Sequence, residues 1–255
     1  MTDLIQTEQD GAILTIRLNR ADKKNAITAA MYSAMADVLR GADSNTSIKV
    51  AIITGSGDSF TAGNDLKDFA ENPPKDPTAP VFAFMDAMAS FTKPVIAGVN
   101  GVAVGIGTTL LLHCDLAIAV PSAKFALPFV NLALVPEFAS SLLLPRFVGV
   151  RKAQELLMSG EAFDAESALK FGLVGAVVPA DQLATTLKTK AAMLAAKPPA
   201  ALRETKALLR GDAAHIKAVI AAEAKVFSAR LQSAELQEAV AAFFAKRPAD
   251  FSKFS

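Results

Sequence analysis

Ser59-Phe60-Thr61-Ala62-Gly63-Asn64-Asp65-Leu66 and Asn100-Gly101-Val102-Ala103-Val104-Gly105-Ile106-Gly107 decide how this chain is read. Each places glycine where a strand hands over to a helix. Glycine tolerates backbone conformations that other residues avoid, so such a corner can aim free backbone N–H groups into a cleft at a helix start. Alone, Ala62-Gly63-Asn64-Asp65 is ordinary turn chemistry. Two such corners can together make an oxyanion hole, a pair of N–H donors facing one oxygen.

Short apolar runs precede both corners. Residues 50–54 (Val-Ala-Ile-Ile-Thr) and 95–99 (Val-Ile-Ala-Gly-Val) read as strands buried on both faces. Upstream, residues 4–18 alternate around Asp10-Gly11 as a hairpin, and Thr28 is a good N-cap for a helix to about Arg40. Between them lies a basic loop with Arg20, Lys23 and Lys24, which either meets phosphate or carries ordinary solvated charge. Downstream of the first corner, Lys67 and Asp68 fall on a short helix. Residues 71–80 hold too many prolines for helix or strand and predict an exposed, mobile loop beside the cleft. A helix over about 80–91 follows, and beyond the second corner a helix over 106–113 leads to a strand at 116–120.

From Phe125 to Pro145 the chain is almost wholly apolar, and Glu137 is its one ionisable residue, within Leu134-Val135-Pro136-Glu137-Phe138-Ala139-Ser140-Ser141. A carboxylate in apolar surroundings is costly to ionise, so its pKa rises toward neutrality and it becomes a better proton acceptor, as a general base requires. Alternatively, Glu137 occupies the first turn of a helix starting near Pro136, favoured by the helix dipole and open to water. His113 and Cys114 read as packed residues without chemistry. Residues 163–172 read as a capped helix ending at Gly172, 173–178 as a last strand, and the remainder as Ala-, Lys- and Glu-rich helices broken at Pro198-Pro199, Gly211 and near Ser233.

The whole composition agrees with a large globular α/β chain: 255 residues, 52% hydrophobic, 20% charged. A formal net charge of +1 with intermixed signs leaves no electrostatic footprint for nucleic acid or an anionic membrane. The single Cys114 excludes an internal disulfide and, with two distant His residues, leaves little for zinc, which points to a reducing cytoplasm. The polar, acidic start is unlike a secretion signal. Residues 94–114 carry no charge before Asp115 but are interrupted by Pro94, four glycines and the Asn100-Gly101 turn, so a buried strand, corner and helix fit better than a membrane span.

Over nearly its whole length the chain resembles the crotonase, or enoyl-CoA hydratase/isomerase, superfamily. The resemblance rests on Leu18-Asn19-Arg20, Phe60 to Leu66, Lys93-Pro-Val-Ile-Ala-Gly-Val-Asn-Gly101, Cys114-Asp115 and Ala242-Phe243-Phe244-Ala245-Lys246-Arg247. It implies an α/β fold, a spiral of ββα turns over residues 1–196, with a C-terminal helical region over 197–255 that forms trimers or paired trimers. It implies an acyl-CoA substrate, coenzyme A being part of that substrate, with no separate cofactor and no metal. The thioester oxygen would be held by the backbone N–H groups of Asn64 and Ile106, whose side chains matter less. CoA would lie against Arg20, Lys23, Lys24, the backbone of Asp65, Leu66 and Lys67, and Phe243 and Lys246 from a neighbouring copy.

The family's hydratases carry two glutamates where this chain has Thr109 and Phe129, which would instead line the acyl pocket. Glu137 falls where peroxisomal-type Δ3,Δ2-enoyl-CoA isomerases carry their single catalytic glutamate. The resemblance therefore favours double-bond migration from C3 to C2. Hydration, ring-enoyl isomerisation and acyl-CoA dehalogenation or hydrolysis are the enzymatic alternatives; dehalogenation also expects a His near position 86, which is Asp86 here. A non-catalytic acyl-CoA-binding protein is the alternative of another class.

Overall fold

The computed structural model describes residues 3–72, 74, 76 and 78–254. Of the proline-rich stretch, Pro73, Lys75 and Pro77 lie outside the described residues. Strands β1 (Ile5–Asp10) and β2 (Ile13–Leu18) form the expected antiparallel hairpin. A 3-10 turn over Ala21–Lys23 leads to α1 (Ala29–Ser44), where the Thr28 hydroxyl accepts from the Met31 N–H. The helix continues past Arg40 because Met35, Ala36, Leu39 and Ala42 keep supplying a buried face.

A repeating unit then appears. Strands β3 (Val50–Gly55) and β4 (Ser59–Thr61) precede α2 (Leu66–Glu71) and α3 (Pro80–Ser90). Strands β5 (Val95–Val99) and β6 (Val102–Val104) precede α4 (Ile106–Thr109), which tightens into a 3-10 turn over Leu110–His113. Strands β7 (Leu116–Ala119) and β8 (Lys124–Ala126) precede α5 (Ser140–Val148) and α6 (Val150–Ser159). The first strand of each pair joins one sheet and the second strand joins another, so the chain climbs as a spiral of ββα turns. With β9 (Phe163–Asp164) and β10 (Ala176–Val177) as their last strands, the larger sheet has the order β1-β2-β3-β5-β7-β10, parallel from β2 onward, and the smaller β4-β6-β8-β9. Helix α7 (Ala165–Phe171) lies between those two strands in the chain.

The ββα turns match the expected spiral; β4, β6 and β8, too short to show periodicity in the sequence, form because their neighbours supply ladder partners. One expectation needs correction. The last strand is confined to Ala176–Val177, because residues 172–174 instead close α7, with the Leu173 and Val174 N–H groups donating to the Ala168 carbonyl.

Helix α8 (Ala180–Ala195) lies against the larger sheet, and α9 (Pro199–Arg210), α10 (Ala213–Arg230) and α11 (Ala234–Phe244) follow, broken where the prolines, Gly211 and Ser233 predict. Asp212 and Ser233 cap α10 and α11 by accepting from backbone N–H groups of the first turn. Among the described residues no helix is long and apolar enough to cross a membrane.

Candidate active site

The two glycine corners meet. Strands β4 and β6 run parallel, Ser59 beside Val102 and Thr61 beside Ala103. Each then turns at a glycine with positive φ, Gly63 at +89° and Gly105 at +55°. A Cβ on Gly63 would stand 2.7 Å from the Val104 carbonyl oxygen, so only glycine lets the corners approach this closely. The first corner is clamped on its other side: Ile27 N–H donates to the Gly63 carbonyl at 2.8 Å, and Asp65 N–H to the Ile27 carbonyl at 2.9 Å. The second is fixed by Gly105 N–H donating to the Ala126 carbonyl at 2.9 Å. Between these anchored groups, neither the Asn64 nor the Ile106 N–H donates to a protein acceptor among the described residues. Two preset donors are thereby free to take an oxyanion.

Glu137 is buried, 5% exposed. It does not begin a helix: α5 starts at Ser140, so the reading of Glu137 as a water-open helix-start residue is overturned. Residues 137–140 form a tight turn, with Ser140 N–H donating to the Glu137 carbonyl at 3.0 Å. Phe138 and Ala139 both adopt left-handed backbone, φ +59° and +55°. Thr109 donates its hydroxyl to Glu137 Oε1 at 2.6 Å, while Oε2 has no protein partner. Burial raises the Glu137 pKa to about 8, the Thr109 hydrogen bond opposing and the nearby Glu223 charge adding.

Glu137 and Asn64 line a narrow apolar cleft with Phe69, Met85, Ile220 and Phe227 among its walls. Glu137 is the one carboxylate among those lining residues. Through Phe82, Ile220 and Ala224 the cleft shares walls with a wider groove, about 410 Å³, between α3 and α10. Helix α10, which the sequence assigns to oligomerisation, thus lines the cleft of its own chain.

Several partners of this site carry no local sequence signal. Tyr32, buried on α1, donates its hydroxyl to Asn64 Oδ1. Burial, then the charge of Glu137, push the Tyr32 hydroxyl well above its ordinary pKa, which keeps it a donor. This bond ties the first corner to α1. Asn25, buried and left-handed, donates to the Ser56 and Ser59 carbonyls and accepts from Thr61 through its own carbonyl. His113 reaches the Phe138 carbonyl at 2.8 Å and stacks on the Phe138 ring with centroids 3.8 Å apart. Burial lowers the His113 pKa to about 4, so its ring is neutral and Nε2 is the donor.

The other sequence-selected residues fall as follows. Thr109 and Phe129 are buried but do not line the cleft. Arg20 is engaged by Asp65 at 2.6 Å and by the Ala26 carbonyl, while Lys23 and Lys24 are exposed beside it. Asp65 caps α2, and Leu66 and Lys67 open that helix. Phe243 is exposed at the end of α11, and Lys246 follows it with left-handed backbone. Asp86 pairs with Lys217 at 2.9 Å. Cys114 is buried, its thiol pushed up to about 12 by burial, then by Asp115, which removes it as a nucleophile. Among the described residues no group of three His, Cys, Asp or Glu side chains is placed to hold a metal ion.

The family model described as enoyl-CoA hydratase/isomerase matches residues 8–253. The chain belongs to that family. It is 34% identical over 256 residues to the 2,3-dehydroadipyl-CoA hydratase of Escherichia coli K12, covering 98% of this chain and 99% of that one. It is 36% identical over 252 residues to human enoyl-CoA delta isomerase 2, covering 96% of this chain and 64% of that protein. The crystal structure of an enoyl-CoA hydratase/isomerase from Pseudoalteromonas atlantica T6c superposes with a TM-score of 0.94 at 38% identity, over 98% of this chain and all of that one. The crotonase spiral is therefore confirmed, and the chain is an acyl-CoA hydratase/isomerase of this family.

Proposed function

We propose that the enzyme moves a double bond from C3 to C2 of an enoyl-CoA thioester. The observation that carries this reading is the solitary Glu137 carboxyl in the apolar cleft, one oxygen held by Thr109 and the other unpartnered. The thioester oxygen sits between the Asn64 and Ile106 N–H groups, and Glu137 Oε2 takes a proton from C2. The C2–H electron pair moves toward the thioester oxygen, giving an enolate conjugated with the double bond. Each N–H donor is worth about 3–4 kcal/mol to such an oxyanion. The same carboxyl returns the proton at C4 as the electrons flow back, so C2–C3 becomes the double bond and no atom is gained or lost.

CoA lies along Arg20, Lys23, Lys24, Asp65, Leu66 and Lys67, and the acyl tail follows the groove between α3 and α10. The exposed Leu208 and Leu209 on α9 and Phe243 and Phe244 on α11 support self-association, in which Phe243 and Lys246 reach a neighbour's CoA.

The competing reading is hydration, as in the name of the Escherichia coli relative. Hydration needs a positioned, activated water, and Thr109 and Phe129 cannot supply the two carboxylates that would hold it. Assayed on 3-enoyl-CoA and 2-enoyl-CoA of matched acyl length, isomerisation is expected to exceed hydration by on the order of 10²-fold, the scale of one missing general acid or base. Equal rates would remove the isomerase reading and leave the family alone.

The pH profile is a second check. Glu137 must be ionised to accept the first proton, and its raised pKa puts that ionisation near 8. The value of kcat/KM is expected to climb with pH through about 8 and to level above it. An acidic limb near 4.5 would place the base elsewhere.

A further inference from the structure

We propose that Glu223, on α10, is a positioning residue for Glu137, holding the turn 137–140 in its left-handed form by accepting hydrogen bonds from the Ala139 and Ser141 backbones. The inference rests on Glu137 being the acid/base. The two residues are far apart in sequence, and Glu223 does not line the cleft.

Ala139 N–H donates to Glu223 Oε2 at 2.6 Å and Ser141 N–H to Oε1 at 3.0 Å, with the Ser141 hydroxyl also donating to Oε1. The carboxylate therefore straddles the start of α5, where N–H groups are otherwise unpaired. Consecutive left-handed positions in a tight turn are normally filled by Asn-Gly, and here they are Phe138-Ala139. A non-glycine residue in this conformation is strained and persists only when its surroundings over-determine it.

The surroundings do so from two sides. Phe138, fully buried, is stacked and hydrogen-bonded by His113, while Ala139 and Ser141 are held by Glu223. Hydrogen bonds to a charged carboxylate are stronger than neutral ones, and together with Phe138 burial they oppose relaxation of the turn. Relaxing the turn would rotate the residue before it, which is Glu137.

The polar groups that act on Glu137 are Tyr32 from α1, Thr109 from α4 and Glu223 from α10, with Asn64 lining the same cleft; His113 reaches the neighbouring Phe138 carbonyl instead. Glu223 also acts through its charge, adding to burial in keeping the Glu137 proton on.

Glu223→Ala and Glu223→Gln, each confirmed folded by circular dichroism at the assay temperature, test the inference. Glu223→Ala is expected to lower kcat roughly 10- to 100-fold, the cost of misplacing a reacting group by about 1 Å, with KM changed less than about threefold. Glu223→Gln retains one acceptor oxygen and should recover part of kcat, while the acidic limb of its pH profile moves to lower pH because a neighbouring negative charge is gone. The Gln variant carries the test if the Ala variant does not fold. Wild-type kcat with an unmoved limb in a folded variant overturns the positioning role, as does a loss of activity that follows thermal stability with the limb unmoved. Glu137→Gln separates the two readings: full activity there defeats the acid/base assignment, whereas an inactive Glu137→Gln beside wild-type Glu223 variants defeats only this inference.

Discussion

Glu137→Gln is expected to lower turnover by about 10²–10⁴-fold and to leave acyl-CoA affinity within a few-fold. The amide is isosteric, and its oxygen can keep the hydrogen bond from Thr109 that Oε1 now accepts. It cannot take a proton at neutral pH, so the loss falls on kcat.

Stability should move the other way. Glu137 has a folded pKa of about 8, raised above its unfolded value, so the folded state binds its proton more tightly. Its stabilising contribution is fully present below the unfolded pKa, near 4.3, and is lost as pH rises through about 8. Glutamine carries no such penalty. Thermal melts should show Glu137→Gln gaining on the wild type between pH 5 and pH 9, by on the order of a few kcal/mol at the alkaline end. A constant difference across that range would mean that Glu137 is not buried in the way the cleft shows.

Gly63→Ala should damage turnover severely. At φ +89° an L side chain is strained, and the new Cβ would meet the Val104 carbonyl oxygen at 2.7 Å. That oxygen belongs to backbone and cannot rotate away. Relief requires β4 and β6 to separate at the corners, which carries the Asn64 N–H away from the Ile106 N–H. Losing one oxyanion donor costs about 10²–10³-fold in kcat, and the left-handed backbone adds about 1–2 kcal/mol of destabilisation. Gly41→Ala is the matched control: it lies in the exposed interior of α1 with nothing near its added Cβ, and should stabilise by up to about 1 kcal/mol without touching kinetics. If both alanines have wild-type turnover, the corners do not form the oxyanion site.

Much of the fold was legible because its signals are local. Thr28, Asp164 and Gly172 cap helices through bonds to residues within a turn of them, and Pro199 and Gly211 bound α9 by their own backbone restrictions. The runs at 50–54 and 95–99 are apolar throughout because both faces of β3 and β5 are covered. The two glycine corners and the solitary Glu137 were visible for the same reason, as departures from a local pattern.

What Glu137 does was not local. Whether it opened to water at a helix start or lay buried depended on α5 beginning at Ser140, which depends on a turn held by His113 and by Glu223 from another part of the chain. Tyr32 on Asn64, Thr109 on Glu137, and the short strands β4 and β6 share that dependence. Residue types and spacing determine which backbone states are cheap, whereas desolvation and hydrogen-bond partners are set by residues that meet only after the chain has packed. The sequence by itself thus determined the glycine corners and the helix boundaries; tertiary structure alone decided that a carboxyl would be buried beside those corners with one oxygen left free.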